Sequence, residues 1–297
     1  EIEAFKPDEY WNIGVTLSDA GAKKPQPFFA RLVSRDGEKL EVGDGTTAGT
    51  TKAHLEGATY KVAKVTTSER KRKAPAPYST SKLQQDAVNR LGFGAKRTMQ
   101  VAQNLYEGVD LGKDGGTVGL ITYMRTDSTR VSDDALNEVR AMIEKRWGKE
   151  FVPATPNVYK SKKNAQDAHE AIRPTNLDYH PDAVKKSLKP DEFKVYKLIW
   201  ERFVACQMAE AVYDQTTVLI EAQGAKKHTL RASGQVLKFG GWLEAQGAGA
   251  SAEVAGEESV RDEAEKPADE DDATRTLPAL SKGEGLKVID PPGVATE

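Results

Sequence analysis

The 297-residue chain is 38% hydrophobic and 30% charged, material for two or three ordinary domains with real cores. No apolar run approaches the ~20 residues of a membrane helix, and the lone cysteine, Cys206, excludes an intrachain disulfide or a cysteine-built metal site. The net charge of −2 is unevenly spread: residues 251–275 hold ten acidic and three basic residues, and the remainder keeps 40 basic against 35 acidic, a balance of +5 that permits a nucleic-acid partner without demanding one.

Glu1, Ile2 and Glu3 supply neither an initiator Met nor a signal peptide, so the chain reads as a piece of a longer, cytoplasmic protein. Residues 8–70 read as strands. Trp11, Ile13, Val15 and Leu17 alternate with polar neighbours, Tyr60, Val62 and nearby Val65 suggest another strand, and Gly43, Asp44 and Gly45 punctuate them. Residues 69–73, Glu-Arg-Lys-Arg-Lys, precede Pro75 and Pro77 and have the composition of a solvated linker. The character changes at Ser79, a helix start followed by Leu83, Ala87 and Leu91 at i, i+4 and i+8. Gly92, Phe93 and Gly94 turn the chain into a second helix with Met99, Ala102, Leu105 and Tyr106 on one side, a pair shaped like a helix-turn-helix or a plain packing unit.

Another helix opens at Ser132, with Asp133 and Asp134 suiting its dipole and Leu136, Val139, Ile143 and Trp147 as its buried stripe, and Gly148 ends it. Pro190 to about Ala211 reads as a longer helix carrying Phe193, Tyr196, Ile199, Trp200 and Phe203. Strands return at 218–220, 228–232, 236–239 and 286–289, and residues 245–276 are too polar to pack and read as a disordered loop. The order β, helical, β predicts a helical module inserted into a β domain whose two halves meet in space.

The chemistry-bearing stretch is 119–129, Gly-Leu-Ile-Thr-Tyr-Met-Arg-Thr-Asp-Ser-Thr. Its β-branched start reads as a short strand, and an extended backbone turns Tyr123, Arg125 and Asp127 to one side. A phenol of pKa ~10 is a poor nucleophile at neutral pH unless its anion is favoured. A guanidinium does this and also braces a phosphate under attack with a bidentate fork, while Asp127 would hold Arg125. Spacing alone leaves open a plainer reading, with Tyr123 capping a strand and Arg125 paired to Asp127 at the surface. A second cluster, 167–175, reads Asp-Ala-His-Glu-Ala-Ile-Arg-Pro-Thr. On a helical turn ended by Pro174, His169 and Arg173 would stand one above the other, suited to a phosphodiester or simply solvated. A zinc-protease motif needs a second His where Arg173 stands.

Residues 119–128 resemble the active-site signature of bacterial type IA DNA topoisomerases, 168–175 resemble their downstream histidine motif, and 79–85 (Ser-Thr-Ser-Lys-Leu-Gln-Gln) resemble the opening of their tyrosine domain. The likeness covers nearly the whole chain and is weakest at 35–55 and 245–280. Met124 and residues 170–173 favour the topoisomerase I branch; in the topoisomerase III branch Pro commonly follows the tyrosine. The resemblance implies a fragment of the family's torus: a β-rich arch at 1–78 and 205–297 and an inserted, mainly helical tyrosine domain at 79–204. It implies that Tyr123 attacks single-stranded DNA in a negatively supercoiled duplex, forming a 5′-phosphotyrosyl link, and that strand passage and resealing follow without ATP. Arg125 matches the position that stabilises phosphate and tyrosinate, His169 the one that contacts the scissile phosphate or supports its network, and Arg173 a contact to the DNA backbone, with Asp127 supporting.

The family's Mg²⁺ belongs to an amino-terminal domain that nothing in this sequence supplies, since Asp133 and Asp134 are explained by helix capping. The expectation is therefore a monomeric fragment without metal, inactive alone in relaxation. Three rivals remain: a non-catalytic module that only clasps DNA, a recombinase, which needs a larger Arg and His set, and a relaxase, which needs a His triad. The four histidines are scattered at 54, 169, 180 and 228.

Overall fold

The structure, a computed structural model, describes residues 10–21, 24–112, 115–159, 169–247 and 276–296. The chain forms two compact units, one of Glu1–Arg70, Tyr213–Lys238 and Glu253–Glu297 and the other of Lys71–Val212 and Phe239–Ala252.

In the first unit, β1 (Trp11–Asp19), β2 (Phe28–Arg35), β3 (Glu38–Lys39), β4 (Thr59–Arg72), β7 (Ala211–Gln223), β8 (Lys227–Phe239) and β9 (Gly285–Thr296) join in one sheet. Their order is β1-β9-β4-β7-β8-β2-β3, and a further β1–β2 pairing closes the run on itself. Strands from both ends of the chain are thus immediate neighbours, Trp11 opposite Thr296 and Tyr60 opposite Leu286. Period-two patterning explains the faces: Ile13, Val15 and Leu17 of β1, Val218, Ile220 and Ala222 of β7, and Leu230 and Ala232 of β8 point into one core.

Three sequence readings change here. Helix α1 (Gly45–Glu56) interrupts the region read as all strand. Its Gly and Thr content gives weak helix propensity, so little apolar periodicity announced it. Asp44 starts it, accepting hydrogen bonds from Thr47 N (2.8 Å) and Thr47 Oγ1 (2.7 Å), and Ala48 and Leu55 bury its inner side. Secondly, the basic run read as a linker is the last turn-free stretch of β4, a strand of 14 residues. There Glu69 pairs at 2.9 Å with Lys238 of β8, two strands along the sheet, a contact that a hinge would not make. Thirdly, residues 227–239 form one strand where two were expected.

The second unit is built on α2 (Thr80–Leu91), α3 (Ala95–Glu107), the short ladder of β5 (Val109–Asp110) and β6 (Thr117–Val118), α4 (Asp133–Trp147), α5 (Pro181–Val184) and α6 (Pro190–Cys206). Leu83 and Ala87 of α2, Val101, Ala102 and Leu105 of α3, and Tyr196, Ile199, Trp200 and Phe203 of α6 are buried. Gly92 ends α2 at φ +67°, a left-handed position that a side chain rarely adopts. Helix α6 stops at Cys206, short of Ala211, where β7 begins.

Residues 71–78 pack with the helices: Ala74 and Tyr78 are buried, and the Tyr159 hydroxyl donates to Ala74 O at 3.0 Å. A half-buried ion pair between Arg202 of α6 and Asp86 of α2 is completed by the Tyr78 hydroxyl, which donates to Asp86 at 2.6 Å, with the guanidinium 4.6 Å over the Tyr78 ring. Residues 248–275, most of the acidic stretch, lie outside the described residues; Ala245, read as part of it, is buried in a short helical turn, Gly241–Gln246. Among the described residues no helix is long and apolar enough to cross a membrane.

Candidate active site

The β-branched start of residues 119–129 was expected to form a short strand. Beyond β6 there is instead a single bridge, Ile121 to Pro174, and the backbone stays extended because other segments take up its polar groups. Thr122 N donates to Arg173 O (2.9 Å), and its hydroxyl donates to Ala171 O (2.7 Å). From the other side the first turn of α2 reaches in. Thr80 N donates to Thr126 O (2.8 Å), Thr80 Oγ1 donates to Met124 O (2.7 Å), and Thr126 N donates back to that hydroxyl (2.9 Å). The alternation read from sequence survives without the ladder. Met124, Thr126 and Ser128 are buried, and Tyr123, Arg125 and Asp127 are exposed.

Arg125, Asp127 and His169 line one open cavity of about 510 Å³, together with Thr80, Ser81, Gln84 and Thr126. Tyr123 stands beside this lining; its ring lies 6.2 Å from that of His169 and 5.4 Å from that of Tyr106. It is 41% exposed, so the residue is not sealed in the interior. Tyr60, in the β core, is by contrast only 4% exposed. Arg125 makes no ion pair with Asp127, so the expected Asp127 clamp is not formed, although both side chains line the same cavity.

The helical turn expected at 169–173 is not there. Ile172 bridges to Tyr78 and Pro174 to Ile121, so the segment is extended. The residue before a proline disfavours helix, and the carbonyls of Ala171 and Arg173 are taken by Thr122. His169 and Arg173 consequently part company. Arg173 folds back onto Glu170 at 2.9 Å and donates to Pro174 O at 3.0 Å, and its side chain is 16% exposed. It is absent from the cavity lining.

A family model described as DNA topoisomerase matches residues 1–292. The chain belongs to the DNA topoisomerase family. A protein of Rickettsia bellii named DNA topoisomerase 1 is 40% identical over 291 residues, 97% of this chain and 34% of its own length. One of the same name from Vibrio cholerae is 43% identical over 246 residues, 83% of this chain and 26% of its own. Among solved structures, full-length topoisomerase I from Thermotoga maritima matches with a TM-score of 0.66 at 31% identity, covering all of this chain and 41% of that one. The family, its topoisomerase I branch and the mixed α and β fold agree with the sequence reading. The chain spans about a third of the length of the curated relatives it matches.

Asp127 is the carboxylate of the cavity lining, and among the described residues no three His, Cys, Asp or Glu side chains converge on one point. The described residues of the cavity do not by themselves form a divalent-cation site. Sequence reasoning gave Thr80, Ser81 and Gln84 no place in the site, although they stand in the stretch matched to the family. Tyr106, assigned to the inner side of α3, is 41% exposed beside Tyr123.

Proposed function

We propose that this chain is the strand-cutting part of a type IA DNA topoisomerase, with Tyr123 as the nucleophile on a single-stranded segment of negatively supercoiled DNA. The phenolic oxygen forms a bond to phosphorus, the bond from phosphorus to the 3′ oxygen breaks, and the phenol proton leaves for solvent while the 3′ oxygen departs as a hydroxyl. The product is a 5′-phosphotyrosyl link that keeps the energy of the phosphodiester, so reversal by the 3′-hydroxyl reseals the strand without ATP. Arg125 braces the charge that develops on phosphorus oxygens, and His169, lining the same cavity, adds a hydrogen bond. Arg173, held by Glu170, acts on this reading through its backbone rather than as a DNA contact.

One observation carries the reading: an exposed tyrosine is held on an extended segment whose next exposed side chain, Arg125, faces a polar cavity shared with His169. Mg²⁺ belongs on this reading to a part of the enzyme beyond these residues, so the chain alone, a monomer, does not relax DNA. Incubating the full-length parent with a labelled single-stranded oligonucleotide tests it. A covalent adduct is expected, and it should vanish in Tyr123→Phe. DNA binding without any adduct would instead support a module that only clasps a strand.

A further inference from the structure

We propose that Tyr106 is a stacking platform for the nucleobase bordering the phosphodiester that Tyr123 attacks; this rests on the reading of Tyr123 as the DNA nucleophile. Val101, Ala102 and Leu105 turn into the core of the helical unit, and Tyr106 lies one step further round the helix. Isolated exposed aromatics are ordinary. Two that are each 41% exposed and touch each other, one of them next to the His169 ring that lines the cavity, are not scattered.

The position of Tyr106 is fixed through the backbone. Leu120 N donates to Leu105 O at 2.8 Å, and a Cβ at Gly119 would lie 2.5 Å from Tyr106 O, so the end of α3 and the start of the Tyr123 segment meet at a distance only glycine permits. The rings are inclined at 64°. A base stacked flat on Tyr106 is therefore steeply inclined to the Tyr123 ring, and on this proposal its attached phosphate is the one that Tyr123 attacks. Stacking is indifferent to base identity, because every base offers a π face.

The test scans one 2-aminopurine along a single-stranded oligonucleotide bound to this chain, reading fluorescence quenching by stacking. Native chain is expected to quench at one position or two adjacent ones. Tyr106→Phe should keep that quenching. Tyr106→Ala and Tyr106→Leu should lose it and weaken binding roughly fivefold to a hundredfold. Leucine keeps apolar volume, so a residue that merely props Tyr123 would survive that change. Unchanged quenching and affinity in Tyr106→Ala would overturn the stacking role and leave the DNA reading standing. Failure of the native chain to bind any oligonucleotide would overturn both.

Discussion

Tyr123 and Arg125 are separated by one buried residue, Met124, whose side chain sets the direction of both neighbours. That arrangement assigns different work to the two exposed groups, and substitutions should separate them. Arg125→Ala is expected to leave oligonucleotide binding nearly intact and slow adduct formation in the parent enzyme about 10²–10³-fold, the usual loss for a donor aimed at developing charge. Arg125→Lys should recover only part of this, because an ammonium lacks the planar fork. Equal adduct rates in native and Arg125→Ala enzymes would remove Arg125 from the mechanism. Gly119 is a residue of geometry alone. Gly119→Ala forces backbone against Tyr106 O and should destabilise the helical unit by about 1–3 kcal/mol, read as a lower denaturation midpoint.

At the scale of elements, the first turn of α2 is what holds the reactive segment. The Thr80 hydroxyl serves Met124 O, Thr126 O and Thr126 N together, and Thr80→Val leaves those groups short of partners. A cost of about 1–3 kcal/mol is expected, with slower adduct formation because Tyr123 loses its fixed direction. Normal adduct kinetics in a destabilised Thr80→Val enzyme would show that the brace matters for folding only.

His228, in β8, gives the β unit a pH dependence. It is buried beside the His54 ring at 5.8 Å, and neither ring nitrogen finds a partner in good geometry among the described residues. Burial, then His54 and Arg35, hold its pKa below the ordinary ~6.5, opposed by the Lys226 backbone and Asp36. The unfolded chain therefore binds that proton more tightly. Stability should be full above pH ~6.5 and fall as the pH drops through that value toward the folded-state pKa. His180 of the helical unit is shifted the same way, mainly by burial and Arg146, so His228→Leu should reduce but not abolish the slope of denaturation midpoint against pH between 7 and 5. An unchanged slope in His228→Leu would contradict this.

What the sequence disclosed follows from how far apart the deciding contacts lie. Leu83, Ala87 and Val139 mark their helices because local periodicity and burial coincide. α1 escaped because Gly and Thr residues carry its fold only through Asp44 and the β core. The exposed side of Tyr123, Arg125 and Asp127 was legible from alternation, yet the absence of a ladder was not, since Thr80 and Thr122 replace it with bonds across 46 and 49 residues of chain. His169 and Arg173 looked like a helical pair because spacing i, i+4 says nothing of a partner such as Thr122.

For the whole molecule, charge is the property that belongs to no single element. Residues 251–275 carry ten acids and three bases, and without them the chain moves from −2 to +5. If that segment competes with a strand for the basic surface, its deletion should tighten single-strand binding at low salt, with the gain fading as salt rises. Equal affinities at low salt would dispose of the competition. The two compact units also differ in chemistry: the cavity, Tyr123 and Arg125 belong to the helical one, and the acid-sensitive His228 to the β one. The central claim concerns one phenol, and the most direct measurement is mass spectrometry of the peptide left attached to DNA after the parent enzyme is trapped on a single strand and digested. A nucleotide mass on the peptide spanning residues 119–129, localised to Tyr123, is the expected result; attachment at any other residue would contradict the account.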